Sequence, residues 1–190
     1  MDSIDLDKKE QRKTAKMARA IAHKEQPNAG QVVAQHWHAA GLLKTPSIIS
    51  IYWPLGDELD PLPLLTQLHE KGHQMVLPVM LGAGKPLIFR TWAPGDTLKE
   101  AGFGTKEPTD DKEALDPDVI LAPLLAYDEE GYRLGYGGGF YDRTLEKLRQ
   151  KKQVSVYGIA YAAQQMPQVV RGEYDQPLDG MVTEQGMISF

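Results

Sequence analysis

The sequence has no cysteine and no long run of apolar residues. Without cysteine among its 190 residues, disulfides, thiolate metal ligands and cysteine nucleophiles are excluded, which agrees with a reducing compartment. The longest apolar run, near residues 119–126, is far shorter than the roughly 20 residues of a membrane-spanning helix. The N-terminal residues mix acids and bases and include no apolar signal-peptide core. We therefore expect a soluble, unexported protein of the cytoplasm.

Positive charge is also in short supply. Lys and Arg number 21 and Asp and Glu number 26, so the formal net charge is 21 − 26 = −5. Such a chain has no overall attraction for nucleic acid or an anionic membrane surface, although a local basic patch can still exist. The five histidines are scattered without metal-ligand spacing, which favours structural or surface roles. At this length, with 42% hydrophobic residues, we expect one domain.

Glycine is concentrated in one stretch, residues 133–143, whose sequence is RLGYGGGFYDR. A loop of this kind ahead of a helix beginning at Phe140 allows backbone amides to converge on an anion such as phosphate. It lacks the Gly-Lys-Ser/Thr ending of a Walker loop, and Phe140 stands where G-x-G-x-x-G needs its last glycine. An arginine flanks each end, and Asp142 offers a carboxylate to nucleotide-bound magnesium. The alternative is an ordinary glycine-rich turn in which Asp142 serves only the first turn of its helix.

Strand and helix patterns alternate along the chain. Runs rich in β-formers or apolar residues predict strands at 47–52, 75–79, 87–92, 119–122, 154–159, 181–183 and 187–190. Helical patterns span 5–25, 29–39, 61–71 and 140–152. Two strand–helix–strand units follow, which are typical of an α/β protein with a parallel sheet. Residues 102–108 and 123–131 are expected to be connecting loops.

The first helix carries a basic face. Lys8, Arg12, Lys16 and Arg19 recur at spacings of four, four and three, which aligns them on one side of the helix. Most basic helical faces are simply solvated. The alternative is that this face clamps a phosphate group.

A loop at residues 53–59 follows the first predicted strand. In open parallel sheets, ligands bind beyond the carboxyl ends of the strands, where Trp53, Asp57 and Glu58 fall. A solvated loop is the ordinary environment of a single carboxylate such as Glu58, and a tryptophan such as Trp53 packs more often than it binds.

These motifs together resemble a known family. In chain order they are residues 8–12 (KKEQR), 57–60 (DELD), 103–108 (FGTKEP), 133–143, 175–178 (DQPL) and 182–184 (VTE). They closely resemble the motifs of the 5-formyltetrahydrofolate cyclo-ligase family, also called 5,10-methenyltetrahydrofolate synthetase, over nearly the whole chain. The resemblance implies a single-domain, three-layer α/β/α fold with a mostly parallel sheet. It also implies ATP- and magnesium-dependent conversion of 5-formyltetrahydrofolate to 5,10-methenyltetrahydrofolate, releasing ADP and phosphate.

The resemblance also implies roles for individual residues. Lys8 and Arg12 match residues that hold ATP phosphates. The residues that match the nucleotide loop are Arg133, Leu134, Gly135, Tyr136, Gly137, Gly138, Gly139, Phe140 and Tyr141. The residues expected to contact folate are Trp53, Glu58, Tyr136, Gly137, Gly138, Gly139 and Phe140. The expected magnesium ligands are Asp142 and Asp175, and the expected catalytic residues are Arg133 and Tyr141.

The chain departs from the family pattern at three positions. Tyr136 and Gly138 stand where some members carry Arg and Lys, so other cations must meet the charge on the transferred phosphate. Tyr174 stands where His or Asn is frequent, just before Asp175.

Two other functions fit parts of the sequence. A phosphate-binding module without turnover would use the glycine loop, but it has little need for two magnesium-directed acids such as Asp142 and Asp175. Nucleic-acid binding through the first helix is opposed by the net charge and by the lack of a known reader motif. We expect a monomer that acts on small molecules, with no nucleic-acid or membrane partner.

Overall fold

The structure, a computed structural model, describes residues 3–43 and 45–190. Its α-helices are α1 (Ser3–Glu25), α2 (Ala29–Ala40), α3 (Leu62–Glu70) and α4 (Phe140–Arg149). Its strands are β1 (Ile48–Ser50), β2 (Gln74–Val79), β3 (Ile88–Thr91), β4 (Leu98–Glu100), β5 (Lys106–Pro108), β6 (Val119–Pro123), β7 (Ala126–Tyr127), β8 (Arg133–Leu134), β9 (Ser155–Ile159), β10 (Gly180–Thr183) and β11 (Gly186–Ser189). The predicted helices and sheet strands are therefore present, with ends that differ by one to three residues.

Seven strands form the central sheet in the order β11-β10-β9-β6-β1-β2-β3. The five inner strands pair in parallel, and β3 and β11 are antiparallel edge strands. Helix α3 connects the parallel neighbours β1 and β2, and α4 lies between β6 and β9. Both predicted strand–helix–strand units are confirmed.

Apolar residues at successive positions of the inner strands face opposite sides of the sheet. Ile49 and Leu121 belong to a core cluster with α2 and α3, whereas Ile120 and Val156 pack with α4 on the other side. Strand β6 is continuously apolar because helices cover it on both faces. This confirms the three-layer α/β/α fold.

Helix α1 has a different kind of support. Its buried apolar residues are small, such as Ala15 and Ala22, whereas Leu6, Met17 and Ile21 are exposed. Ala15 packs with Leu125 and neighbouring residues of the β7–β8 hairpin. The helix therefore lies against the region that leads into the glycine loop. In the described part of the chain, no helix combines the length and apolar character needed to cross a membrane.

Two segments expected to be plain connectors contain structure. Residues 123–131 include β7, which pairs with β8 around a turn where Asp128 accepts hydrogen bonds from the amides of Glu130 and Tyr132. Residues 102–108 include a 3-10 turn and β5, which pairs with β4. Both predictions were wrong because strands of two or three residues are too short to show an alternating pattern.

Candidate functional site

A cavity of about 600 Å³ opens at the carboxyl ends of the parallel strands. It lies where α1, the loop after β1 and the glycine loop meet, as expected for an open α/β sheet. All the site residues predicted from the sequence line this cavity. They are Lys8, Arg12, Trp53, Glu58, Arg133, Leu134, Gly135, Tyr136, Gly137, Gly138, Gly139, Phe140, Tyr141, Asp142 and Asp175.

The glycine loop, residues 135–139, needs glycine at two positions with positive φ. Gly137 has φ +102°, which side chains rarely adopt, and a Cβ there would lie in ordinary contact, 3.4 Å, with the guanidinium carbon of Arg12. Gly139 has φ +61°, and its Cβ would lie 2.6 Å from a nitrogen of Arg143. Within the described residues, none of the backbone amides of 136–142 donates a loop or cap hydrogen bond. The loop therefore presents amide donors to the cavity at the N-terminus of α4.

The basic face of α1 turns toward this loop. The Nε of Arg12 donates to the carbonyl of Gly135 at 3.0 Å, and Lys8 pairs with Asp175 at 2.5 Å. Lys16, on the same face, is exposed to solvent. The solvated interpretation therefore holds for Lys16, while Lys8 and Arg12 line the cavity.

Two carboxylates flank the basic groups at this end of the cavity. One oxygen of Asp142 accepts from Arg133 at 2.8 Å and from the amide of Gln176 at 3.1 Å. Asp175, the residue before Gln176, accepts from the amide of Gly172 through the same oxygen that meets Lys8. Asp142 lies in the first turn of α4, where a carboxylate favours the helix dipole, and it also lines the cavity, so both interpretations of this residue fit the structure.

The two carboxylates fit a magnesium ion that is shared with phosphate. Each keeps a second oxygen that bonds to no described residue, and magnesium is commonly held by one or two carboxylates together with substrate phosphates. Across residues 3–43 and 45–190, no group of three or more His, Cys, Asp or Glu side chains forms a metal site by itself. A magnesium ion at these two carboxylates would need further oxygens, from a ligand or from water.

Glu58 occupies the other end of the cavity and is only 7% exposed, so the solvated-loop interpretation was wrong. One carboxylate oxygen accepts from the amide of Leu55 at 2.8 Å, and the other accepts from the hydroxyl of Tyr136. Burial raises the pKa of Glu58, and the hydrogen bonds from Tyr136 and Leu55 oppose that rise. The acid is thus a buried acceptor with lone pairs directed at the cavity.

Arg19 is a site residue that the sequence reasoning missed. It is 7% exposed, donates to the hydroxyl of Tyr136 and forms an ion pair with Asp57. Its guanidinium also lies 5.6 Å from the centre of the Tyr136 ring and 3.7 Å from an oxygen of Glu58. Burial opposes its charge, but Tyr136 and the two acids raise its pKa overall. Its place on the basic face was the available signal, because Arg19 lies about two turns after Arg12.

Aromatic side chains complete the lining. Trp53 packs edge-on against Trp92, with ring centres 5.7 Å apart, and still lines the cavity. Burial, together with Glu58, raises the pKa of Tyr141, so this phenol stays protonated at neutral pH and keeps its hydrogen-bond donor. Phe103, which had been assigned no role, is 83% exposed at a φ of +62° and also lines the cavity.

The chain matches known proteins over most of its length. A model of the 5-formyltetrahydrofolate cyclo-ligase family matches residues 5–184. The 5-formyltetrahydrofolate cyclo-ligase of Escherichia coli (strain K12) is 34% identical over 171 residues, covering 87% of this chain and 93% of its own. The protein of that name from Haemophilus influenzae is 34% identical over 161 residues, covering 81% and 84%. The NMR structure of Aquifex aeolicus 5,10-methenyltetrahydrofolate synthetase matches with a TM-score of 0.78 at 27% identity, covering 96% and 92%.

Proposed function

Because the chain belongs to the 5-formyltetrahydrofolate cyclo-ligase family, we propose that it converts 5-formyltetrahydrofolate and ATP to 5,10-methenyltetrahydrofolate, ADP and phosphate. The observation that carries the proposal is the composition of one cavity. Glycine backbone, cations and two carboxylates form one end, and the buried acceptor Glu58 forms the other. A polyphosphate and an uncharged ring with hydrogen-bond donors can therefore lie side by side.

ATP binds at the end formed by α1 and the glycine loop. The amides of the loop and the side chains of Lys8 and Arg12 hold its phosphates. Lys8 and Arg133 each pair with a predicted magnesium ligand in this structure, at 2.5 and 2.8 Å. On binding, both cations exchange a carboxylate for a phosphate oxygen, which leaves Asp142 and Asp175 to magnesium.

The folate ring binds at the opposite end. Glu58 accepts hydrogen bonds from the donor edge of the pterin, and Trp53 provides an apolar wall. Residues 136–140 lie between the two ends and contact both substrates. This places the formyl group of the folate beside the terminal phosphate of ATP.

The reaction needs little covalent chemistry from the protein. The formyl oxygen takes the γ-phosphoryl group and ADP leaves. N10 of the folate then attacks the formyl carbon, its proton is lost, and the former formyl oxygen departs with phosphate. Rate enhancement comes from alignment and from cationic stabilisation of the phosphoryl group, which Arg133 supplies and which Tyr141 supports as a donor. Magnesium, held by Asp142 and Asp175, contributes further charge neutralisation when bound.

The geometry weakens the two rival functions. The basic face of α1 lines the cavity through Lys8 and Arg12, and Arg19 is buried against Asp57 and Tyr136, which leaves this face poorly placed to meet a nucleic-acid backbone. A phosphate-binding module without turnover has no use for a buried acceptor such as Glu58 beside the phosphate end.

The test is incubation of the purified protein with 5-formyltetrahydrofolate, ATP and magnesium, followed by absorbance of the methenyl product and by ADP release. We expect product and ADP in equal amounts, and none when any one component is omitted. Binding of both substrates without product would instead support the binding module. A monomer in solution stays a prediction, which sedimentation velocity tests.

A further inference from the structure

Arg19 joins three segments of the cavity wall that are far apart in sequence. It lies on α1, pairs with Asp57 of the loop after β1 and donates to Tyr136 of the glycine loop. Tyr136 in turn donates to Glu58. We propose that Arg19 is a positioning residue for the folate substrate: it fixes Tyr136 as a donor to Glu58 and thereby orients the carboxylate on which the pterin docks. This inference rests on the proposed function.

The direction of the hydrogen bonds follows from the chemistry of the side chains. A guanidinium has only donors, so the oxygen of Tyr136 must accept from Arg19. The hydroxyl proton of Tyr136 is then available to the nearest acceptor, which is Glu58. An ionised carboxylate only accepts, so Tyr136 would still donate to Glu58 without Arg19, but its oxygen would lose the donor that holds it in place. Arg19 thus fixes the position of the phenol between α1 and the acid.

Glu58 retains capacity for the substrate after these bonds are made. An ionised carboxylate has about four acceptor positions, of which Leu55 and Tyr136 occupy one on each oxygen. The remaining positions can accept from a ligand that presents two donors. The hydrogen bonds from Leu55 and Tyr136 fix the plane of the carboxylate. They therefore determine the orientation in which a ligand with two adjacent donors can bind to it.

The location of Arg19 distinguishes this role from that of a remote structural ion pair. Tyr136 is 48% exposed, and its hydrogen bonds with Arg19 and Glu58, together with the guanidinium beside its ring, hold it in place. Asp57 anchors the guanidinium from the opposite side. Loss of Arg19 therefore releases Tyr136 and Glu58 while leaving Lys8 and Arg12 in place at the nucleotide end.

The test compares Arg19→Gln, Tyr136→Phe and the double variant with Lys16→Gln, a matched change at an exposed position of the same helix. We expect Arg19→Gln and Tyr136→Phe each to raise the KM for 5-formyltetrahydrofolate about tenfold or more, as for the loss of a bond to a charged group. The KM for ATP should stay within about twofold. The double variant should be no worse than the poorer single variant, because both act through one chain of bonds. Arg19→Lys, which retains a donor, should recover part of the loss.

Several outcomes would overturn the proposal. Equal changes in the two KM values, or additive effects in the double variant, would return Arg19 to a general structural role. Tighter folate binding by Tyr136→Phe would make the phenol a gate that competes with the substrate. If Arg19→Gln does not fold, Tyr136→Phe decides alone, because its ring lies on an exposed loop. A parent protein that forms no methenyl product rejects the proposed function itself, whereas an active parent with unaffected variants rejects only the role of Arg19.

Discussion

The two ends of the cavity handle charge in different ways. At the proposed nucleotide end, Asp142 and Asp175 are partly exposed, and each is paired with a basic side chain. At the proposed folate end, Glu58 and Arg19 are almost fully buried and are linked through the hydroxyl of Tyr136. The first end has a set of ion pairs near water, and the second has a fixed hydrogen-bond network.

This difference suits the two proposed substrates. Water reaches the acids of these pairs, so a phosphate can replace them as partners of Lys8 and Arg133 at a lower cost than at a fully buried pair. A buried acid, by contrast, can discriminate strongly, since a ligand without matching donors would leave it desolvated and unsatisfied. We infer that the nucleotide end is built for exchange of ionic partners and the folate end for recognition.

The largest effect that we predict comes from the nucleotide end. Asp142→Asn removes an anionic magnesium ligand but keeps the shape and a hydrogen-bonding oxygen for Arg133. If magnesium binds here, turnover should fall by about 100-fold or more, corresponding to several kcal/mol of transition-state stabilisation. A magnesium titration of activity should show a raised requirement, with partial recovery at high concentration.

The control for Asp142→Asn is Asp116→Asn, which removes an acid whose ion pair with Lys151 is half exposed. Its magnesium titration should match that of the parent. Overlapping curves for Asp142→Asn and the parent would falsify the metal role. A purely structural contribution of Asp142 would change thermal stability by about 1 kcal/mol and leave the magnesium requirement unchanged.

The next prediction tests whether Glu58 recognises folate. Glu58→Gln replaces a group that only accepts by one that also presents an amide donor. The KM for 5-formyltetrahydrofolate should rise by about 10- to 100-fold, as expected when a hydrogen bond to a charged group is lost. The KM for ATP should change far less. Steady-state kinetics with each substrate varied in turn give both values, and equal changes would contradict a folate-specific role.

A smaller effect is expected from the phosphate-binding cations. Lys8→Ala or Arg12→Ala should weaken ATP binding by about 1.5–3 kcal/mol, the range for a charge-assisted hydrogen bond. Thermal stability should change less than ATP binding, because Lys8 makes one partly exposed ion pair and Arg12 one hydrogen bond to a backbone carbonyl. Calorimetric titration with ATP measures the change, and Lys16→Ala on the same face serves as the control. If both variants bind ATP like the parent, α1 contributes no phosphate clamp.

Much of the fold could be predicted from local patterns. The continuous apolar run of β6 and the helical pattern after Phe140 both predict elements that are present. Strands β7 and β8 were missed because each has two residues, and their pairing depends on the turn at Asp128 rather than on a strand pattern. Short elements of this kind are specified by tertiary context.

For the site, the sequence predicted the glycine loop but not the surroundings of two charged residues. The glycine loop can be recognised in the sequence, because four glycines in five positions are unusual outside a loop that binds a ligand through its backbone. The burial of Glu58 and the role of Arg19 were not visible, because a carboxylate and an arginine are ordinarily solvated and only the folded chain brings α1 over the loop after β1. Sequence reasoning locates such residues on a face or loop but does not show what they meet.

The smallest effect that we predict concerns stability and links the two roles of Glu58. Burial raises the pKa of Glu58 in the folded protein above its ordinary value of 4.5. Between these two pKa values the folded state binds more protons than the unfolded state, so the free energy of unfolding falls as the pH rises through this window. The destabilisation that comes from burying the ionised acid is absent at pH values below the ordinary pKa and complete at pH values above the raised pKa.

Glu58→Gln removes this charge and should therefore stabilise the protein at neutral pH while impairing folate use. We expect a higher Tm than that of the parent at about pH 7.5. The gain should disappear at about pH 4, where the acid of the parent is protonated. Glu146→Gln, at an exposed position of α4, measures the general effect of removing one negative charge. A lower Tm for Glu58→Gln than for the parent at neutral pH would mean that the contacts with Arg19 and Tyr136 more than compensate for the burial of the acid. The folate end would then stabilise the fold as well as recognise a ligand.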